Sequence, residues 1–104
     1  MRYSERMAKE AKLIREENGI EVRESFAGIT AYLGRSRIRV ADVVRVHRMV
    51  QEQEPGVESI ESVFPHVPAD QIQAALAYWK NHPREIEELI AEEDAIITQM
   101  SAPR

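Results

Sequence analysis

A chain of 104 residues with 43% apolar content supports one domain around one modest core. It has no cysteine, which excludes a disulfide framework, a thiolate metal site and a cysteine nucleophile, and fits a reducing cytoplasm. The net charge of −4 conceals a polarity: residues 1–51 carry 11 Lys/Arg against 7 Asp/Glu (+4), and residues 52–104 carry 3 against 11 (−8). That asymmetry suggests a basic surface for an anionic partner, or two solvated faces that need none. The charged first twelve residues do not read as a secretory signal, and no apolar run has membrane-span length.

In chain order, Tyr3–Asn18 is expected to be helical. Met7, Ala11 and Ile14 fall at i, i+4 and i+7, Ser4 is a candidate N-cap, and Asn18-Gly19 is a stop. Ile20–Arg23 alternates as a strand. Ser25–Gly28 turns, and Ile29–Leu33 is a second strand. Gly34–Ser36 turns again before a third strand, Arg37–Val40, so that a hairpin forms about Gly34. Ala41–Gln53 reads as a helix with Val43, Val44, Val46, Met49 and Val50 inward and Arg45 and Arg48 outward. Gly56 is a candidate N-cap for a short helix, Val57–Phe64, which Pro65 stops. Pro68 starts a helix to Asn81 with Ile72, Leu76 and Tyr78 or Trp79 inward. Pro83 opens the last helix, whose apolar set is Ile86, Leu89, Ile90, Ile96 and Ile97, with residues 101–104 a frayed tail. The expected fold is mainly α: a short N-terminal β-hairpin, then a three- to four-helix cluster of winged or hairpin-bearing helix-turn-helix type. Residues 1–19 would be a helical extension and residues 20–100 the domain.

The candidate functional residues begin with the arginines. Arg35, Arg37, Arg39, Arg45 and Arg48 form a run broken by one acid, Asp42. Arg37 and Arg39 share one face of a strand, where guanidinium groups can straddle phosphates. The same arginines could instead pair with the acidic half of the chain. Gln71 and Gln73, on the helix after Pro68, are candidate base readers, although Asp70 beside them repels phosphate. Tyr78 and Trp79 are adjacent and cannot share a helix face, so one is expected in the core and the other partly exposed at a partner interface. Glu87 and Glu88 are the acidic partner-binding candidates. His47, His66 and His82 sit in separate elements without metal-ligand spacing, and no nucleophile–base constellation assembles. No enzymatic activity, metal or cofactor is expected.

Three segments together, Arg37-Ile-Arg-Val-Ala-Asp-Val-Val44, Phe64-Pro-His-Val67 and Asp70-Gln-Ile-Gln-Ala-Ala-Leu-Ala-Tyr78, resemble domain-of-unknown-function family 433. That family shows a Gly-Thr-Arg-Ile turn and strand, a Tyr/Phe-Pro-His-Leu break and an Ile-x-x-Ala-Leu-x-Tyr helix. The resemblance covers about Ile20 to Ile97. The chain departs from it at Arg35-Ser36, where the family has glycine directly before Thr-Arg-Ile, and at Gly56, where the family has a Ser/Thr cap. The resemblance implies a small dimeric helix-turn-helix domain of antitoxin or transcriptional-regulator type, binding operator DNA and in many members paired with a PIN-like ribonuclease toxin. On that reading Arg35, Arg37, Arg39 and Arg48 contact phosphates in a cytoplasmic DNA-binding protein. The alternative is a dimeric protein-interaction module with no DNA-binding role.

Overall fold

Asn18 and Gly19 both have positive φ, 52° and 88°, and this pair sets the start of the fold. Two successive left-handed residues make the two-residue turn that matches the twist of a β-hairpin. In the computed structural model, which describes residues 12–26 and 28–101, strand β1 (Lys12–Glu17) runs into that turn and β2 (Ile20–Ser25) runs out of it. The two pair antiparallel from Glu17↔Ile20 to Lys12↔Glu24, with a register shift between Leu13 and Arg15. Strand β3 (Gly28–Leu33) pairs antiparallel with β2, giving the sheet order β1-β2-β3.

The helix expected over Tyr3–Asn18 is therefore corrected where it is described: Lys12–Glu17 is a strand, and residues 1–11 lie outside the described residues. A boundary after residue 19 would cut through this hairpin. The sequence Lys-Leu-Ile-Arg-Glu-Glu has good helix formers, but cross-strand pairing overrides a weak local preference. The fold is correspondingly mixed α and β, a three-stranded antiparallel sheet followed by four helices among the described residues, and not mainly α.

The third expected strand is also corrected. After Leu33 the chain bends sharply at Gly34, whose φ is +55° and whose missing Cβ would stand 2.7 Å from the Gln71 side-chain nitrogen. Leu33 N–H donates to Ile38 O at 2.8 Å, and Arg39 makes one isolated bridge to Tyr32. The bend's other groups are claimed locally. Ser36 Oγ donates to Leu33 O at 2.6 Å, and Arg23 donates to the carbonyls of Gly34 and Ser36 at 2.6 and 2.9 Å. With those carbonyls occupied, Arg37–Val40 leaves the ladder after one rung and turns into α1 (Val40–Gln51).

Asp42, in the first turn of α1, accepts from the Arg39 backbone N–H at 3.0 Å, which fixes the helix start. Gln53, at φ 57°, ends the turn after it. The next helix, α2, is a single turn, Ile60–Val63, shorter than the expected Val57–Phe64. Its cap is Ser59, not Gly56: Ser62 N–H donates to Ser59 Oγ at 3.1 Å, and Ser59 N–H donates weakly back to Ser62 Oγ. Pro68 then caps α3 (Ala69–Asn81), and Pro83 opens α4 (Pro83–Ser101).

Side chains on one sheet face, Ile20, Val22, Ala31 and Leu33, are buried against α1 and α3. Val40, Ala41, Val43 and Val44 of α1, Ile72, Ala75 and Tyr78 of α3, and Ile86 and Ile90 of α4 complete the core. The helical layer stops short of the sheet's far end. Ile29 lies on the same side as Ala31 yet is 60% exposed. On α4 the apolar set divides: Ile86 and Ile90 are buried, whereas Ile96 and Ile97, expected inside, are 56% and 57% exposed.

Candidate interaction surface

The arginines of α1 meet the acids of α4. Arg39 hydrogen-bonds both Asp42 oxygens, at 2.8 and 3.3 Å, and grips Glu93 with both terminal nitrogens. Arg45 reaches Glu93 at 3.0 Å and Asp94 at 2.9 Å. One turn on, Arg48 pairs with Glu87. As numbers rise along α1 they fall along α4, so the two helices run antiparallel with charge facing charge. Arg39, Arg45 and Glu93 are each less than one third exposed at the side chain, so the lattice is shielded in part from solvent and salt.

This lattice decides where the sequence-predicted residues stand. Arg39 and Arg48, expected as phosphate contacts, are each engaged by carboxylates within the chain, the pairing that the sequence offered as the alternative. Arg35 and Arg37 are exposed on the bend after β3. Gln71 is half-buried beside Gly34, at the base of that bend, and Gln73 is exposed further along α3. Tyr78 is 1% exposed and belongs to the core, which corrects its place among partner-binding residues. Trp79 is half-buried. Its indole N–H donates to Glu87 at 2.9 Å, the Arg48 guanidinium lies 5.6 Å from its ring centre, and His47 meets it edge-on at 5.7 Å. Glu87 is thus a partner of Arg48 and Trp79, while Glu88 is exposed.

A second polar cluster ties β1 to the helices. Arg15 and Glu17 share the core-facing side of β1, opposite Val22 and Ile20. Arg15 donates to the Tyr78 hydroxyl at 2.6 Å, and that hydroxyl donates to Glu85 at 2.9 Å. Glu17 bonds His82 at 2.8 Å, and His82 stacks on Tyr78 with ring centres 4.2 Å apart. Burial, and then the neighbouring Glu85 carboxylate, push the Tyr78 hydroxyl above its ordinary range, so it stays protonated as a donor. Sequence reasoning missed Arg15, Glu17 and Glu85 because it placed the first two on a helix. It also missed Glu93 and Asp94 within an acidic run, although the opposite charges of the two halves were a usable signal.

Three carboxylates in these clusters ionise more readily than usual. The hydrogen bond from Arg48 lowers Glu87, that from Arg39 lowers Glu93, and that from His82 lowers Glu17, each from an ordinary value of 4.5. A carboxylate whose folded pKa is depressed adds stability above its unfolded pKa and loses it as pH falls through the folded one. The melting temperature is therefore expected to hold from neutral pH to about pH 5 and to fall steeply below about 4.5. A Glu87→Gln, Glu93→Gln double variant should melt lower at pH 7 and show a flatter acid limb in thermal scans. An unchanged acid limb would remove these carboxylates from the account.

His66 is exposed in the turn after α2, far in sequence from His47 and His82. Among the described residues no group of His, Asp or Glu is arranged to hold a metal ion. No described helix is long and apolar enough to cross a membrane. No family model matches the chain, and no curated protein or solved structure matches it either.

The remaining feature is the far half of α4. Ile86, Leu89, Ile90, Glu93, Ile96 and Ile97 follow one another at helical spacing, so they form a single stripe. Its first half is buried or half-buried in the core. Its second half runs past the core, where Ile96 and Ile97 line an open groove of about 510 Å³ with Arg39, Arg45 and Glu93.

Proposed function

We propose that this protein is a protein-binding module that docks its partner on the projecting half of α4. The observation that carries the reading is the core stripe continuing uncovered through Ile96 and Ile97. The helix's charge indicates the partner's chemistry: of its six acids Glu85, Glu87, Glu93 and Asp94 are paired with arginines of β1, α1 and the bend before α1, and Glu88 and Glu92 stand exposed on it. A surface with apolar residues flanked by Lys or Arg complements it. Two copies of α4 packed on each other would place like charges together, which disfavours a dimer through this helix. The reading accords with one implication of the family 433 resemblance, an antitoxin-like chain paired with a protein partner.

DNA binding is the second reading, favoured by one observation. Arg35 and Arg37 are exposed beside the N-terminal turn of α3, where Gln71 sits. Two arginines and one amide make a small phosphate footprint, and Asp70 is exposed in the same turn.

The two readings separate in one set of experiments. Protein immobilised on resin, as wild type and as Ile96→Asp/Ile97→Asp, is exposed to lysate of the source cells and eluted with salt. The wild type should retain a basic partner, and purified partner should bind the double variant at least about tenfold more weakly, from two lost apolar anchors. Because both side chains are exposed, folding stability should change by less than about 0.5 kcal/mol. Equal partner binding by both proteins, with a salt-steep gel shift on the chain's own upstream DNA, would overturn the protein-binding reading in favour of DNA.

A further inference from the structure

A cleft of about 400 Å³ lies between α1 and α3, away from the α4 groove. Its apolar surface comes from Leu76, Ala77 and Trp79, and its polar groups are the amides of Gln51 and Gln73, the Lys80 ammonium and the His47 ring. The volume falls in the range of small-molecule sites, and the lining divides about evenly between apolar and polar surface, which suits a ligand with one apolar and one polar end. Two features narrow the ligand. Among the described residues no Asp or Glu lines the cleft, the Glu87 carboxylate meeting Trp79 at its N–H outside that lining, and Lys80 gives the cleft a positive charge. The Trp79 ring is also held in place, by Glu87 at its N–H, Arg48 over the ring and His47 at its edge. A ring already fixed loses little freedom when another ring packs on it.

We propose that this cleft binds a small planar aromatic carboxylate. The ligand's ring packs against Trp79 and Leu76, its anionic end meets Lys80, and its far edge reaches the Gln73 amide. Gln73 and Lys80 stand seven residues apart on α3, two helical turns on one face, with Ala77 between them leaving room for the ring. Gln73, read from sequence as a base reader, becomes a polar contact of this site.

The chain has one tryptophan, so its single indole N–H resonance reports on the cleft directly. ¹⁵N-labelled protein is titrated with 2-naphthoate and, separately, with the uncharged 2-naphthamide. Naphthoate should shift the Trp79 indole signal saturably, with Kd on the order of 1 mM for a ligand of this size. Naphthamide should bind at least about fivefold more weakly, and Lys80→Gln should weaken naphthoate by a similar factor. Ala77→Phe, which fills the cleft from an exposed position, should abolish the shift, whereas Lys12→Gln, on β1, should leave it intact. Equal binding of the two compounds, no saturable shift with naphthoate, or full binding by Ala77→Phe would overturn the proposal.

Discussion

Tyr78→Ala is expected to destabilise the fold by about 3–5 kcal/mol, the usual cost of emptying a buried aromatic site. The ring is 1% exposed and packs with the core residues of the sheet, α1 and α4. Since a domain of this size is stable by about 5–15 kcal/mol, the variant should be marginal at room temperature. Tyr78→Phe keeps the ring and removes the hydroxyl. Arg15 and Glu85 then lose a shared partner, but both are more than one third exposed and can turn to water. The expected loss is about 1 kcal/mol, that of an ordinary hydrogen bond. Its effect should also be local, because the hydroxyl links β1 to the junction of α3 and α4. Amide hydrogen exchange in Lys12–Glu17 should quicken more than exchange in β2 and β3. Urea unfolding of the two variants decides between packing and polar tethering: a Phe variant as damaged as the Ala variant would mean that the hydroxyl, not the ring, holds this corner.

The parts of this fold that were legible in sequence are those where pattern and local chemistry agree. Ile20–Arg23 and Ile29–Leu33 alternate and form strands. Pro68 and Pro83 start helices, and valines on one side of α1 enter the core. Failures came where one signal has two uses. Asn18-Gly19 can end a helix or turn a hairpin, since both need positive φ. A helix end needs one such residue and this turn needs two, which only the neighbouring alternation of Ile20 and Val22 could have indicated. Arg37–Val40 has the composition of a strand, but Ser36 and Arg23 capture the carbonyls of the bend before a ladder can extend. Ile96 and Ile97 continue the period of the core, yet periodicity shows which face is apolar, not how far the domain covers it. The arginine run was visible as charge, whereas its pairing depended on α4 lying antiparallel to α1, a tertiary fact.

Arg39→Ala is the substitution on which structure and DNA binding disagree most sharply, and it is expected to destabilise the protein by about 1–3 kcal/mol. Arg39 joins three elements: it bridges Tyr32 of β3, precedes the first turn of α1, and holds Asp42 and Glu93. Its removal leaves two carboxylates close together without their shared cation, though Arg45 still neutralises Glu93 in part. Glu93→Ala should cost less than Arg39→Ala, and in the double variant the two losses should not add, with a coupling of about 1 kcal/mol. Arg37→Ala, at an exposed position, should change stability by less than about 0.5 kcal/mol. If Arg39 contacted phosphate instead, its loss would leave stability unchanged and flatten the salt dependence of DNA binding by about one unit of slope. Denaturation of the four variants in 0.05 and 0.5 M salt separates the cases, because a pair that is mostly shielded keeps much of its coupling at high salt. A stable Arg39→Ala protein with additive losses would return this arginine to the surface and with it the case for a nucleic-acid partner.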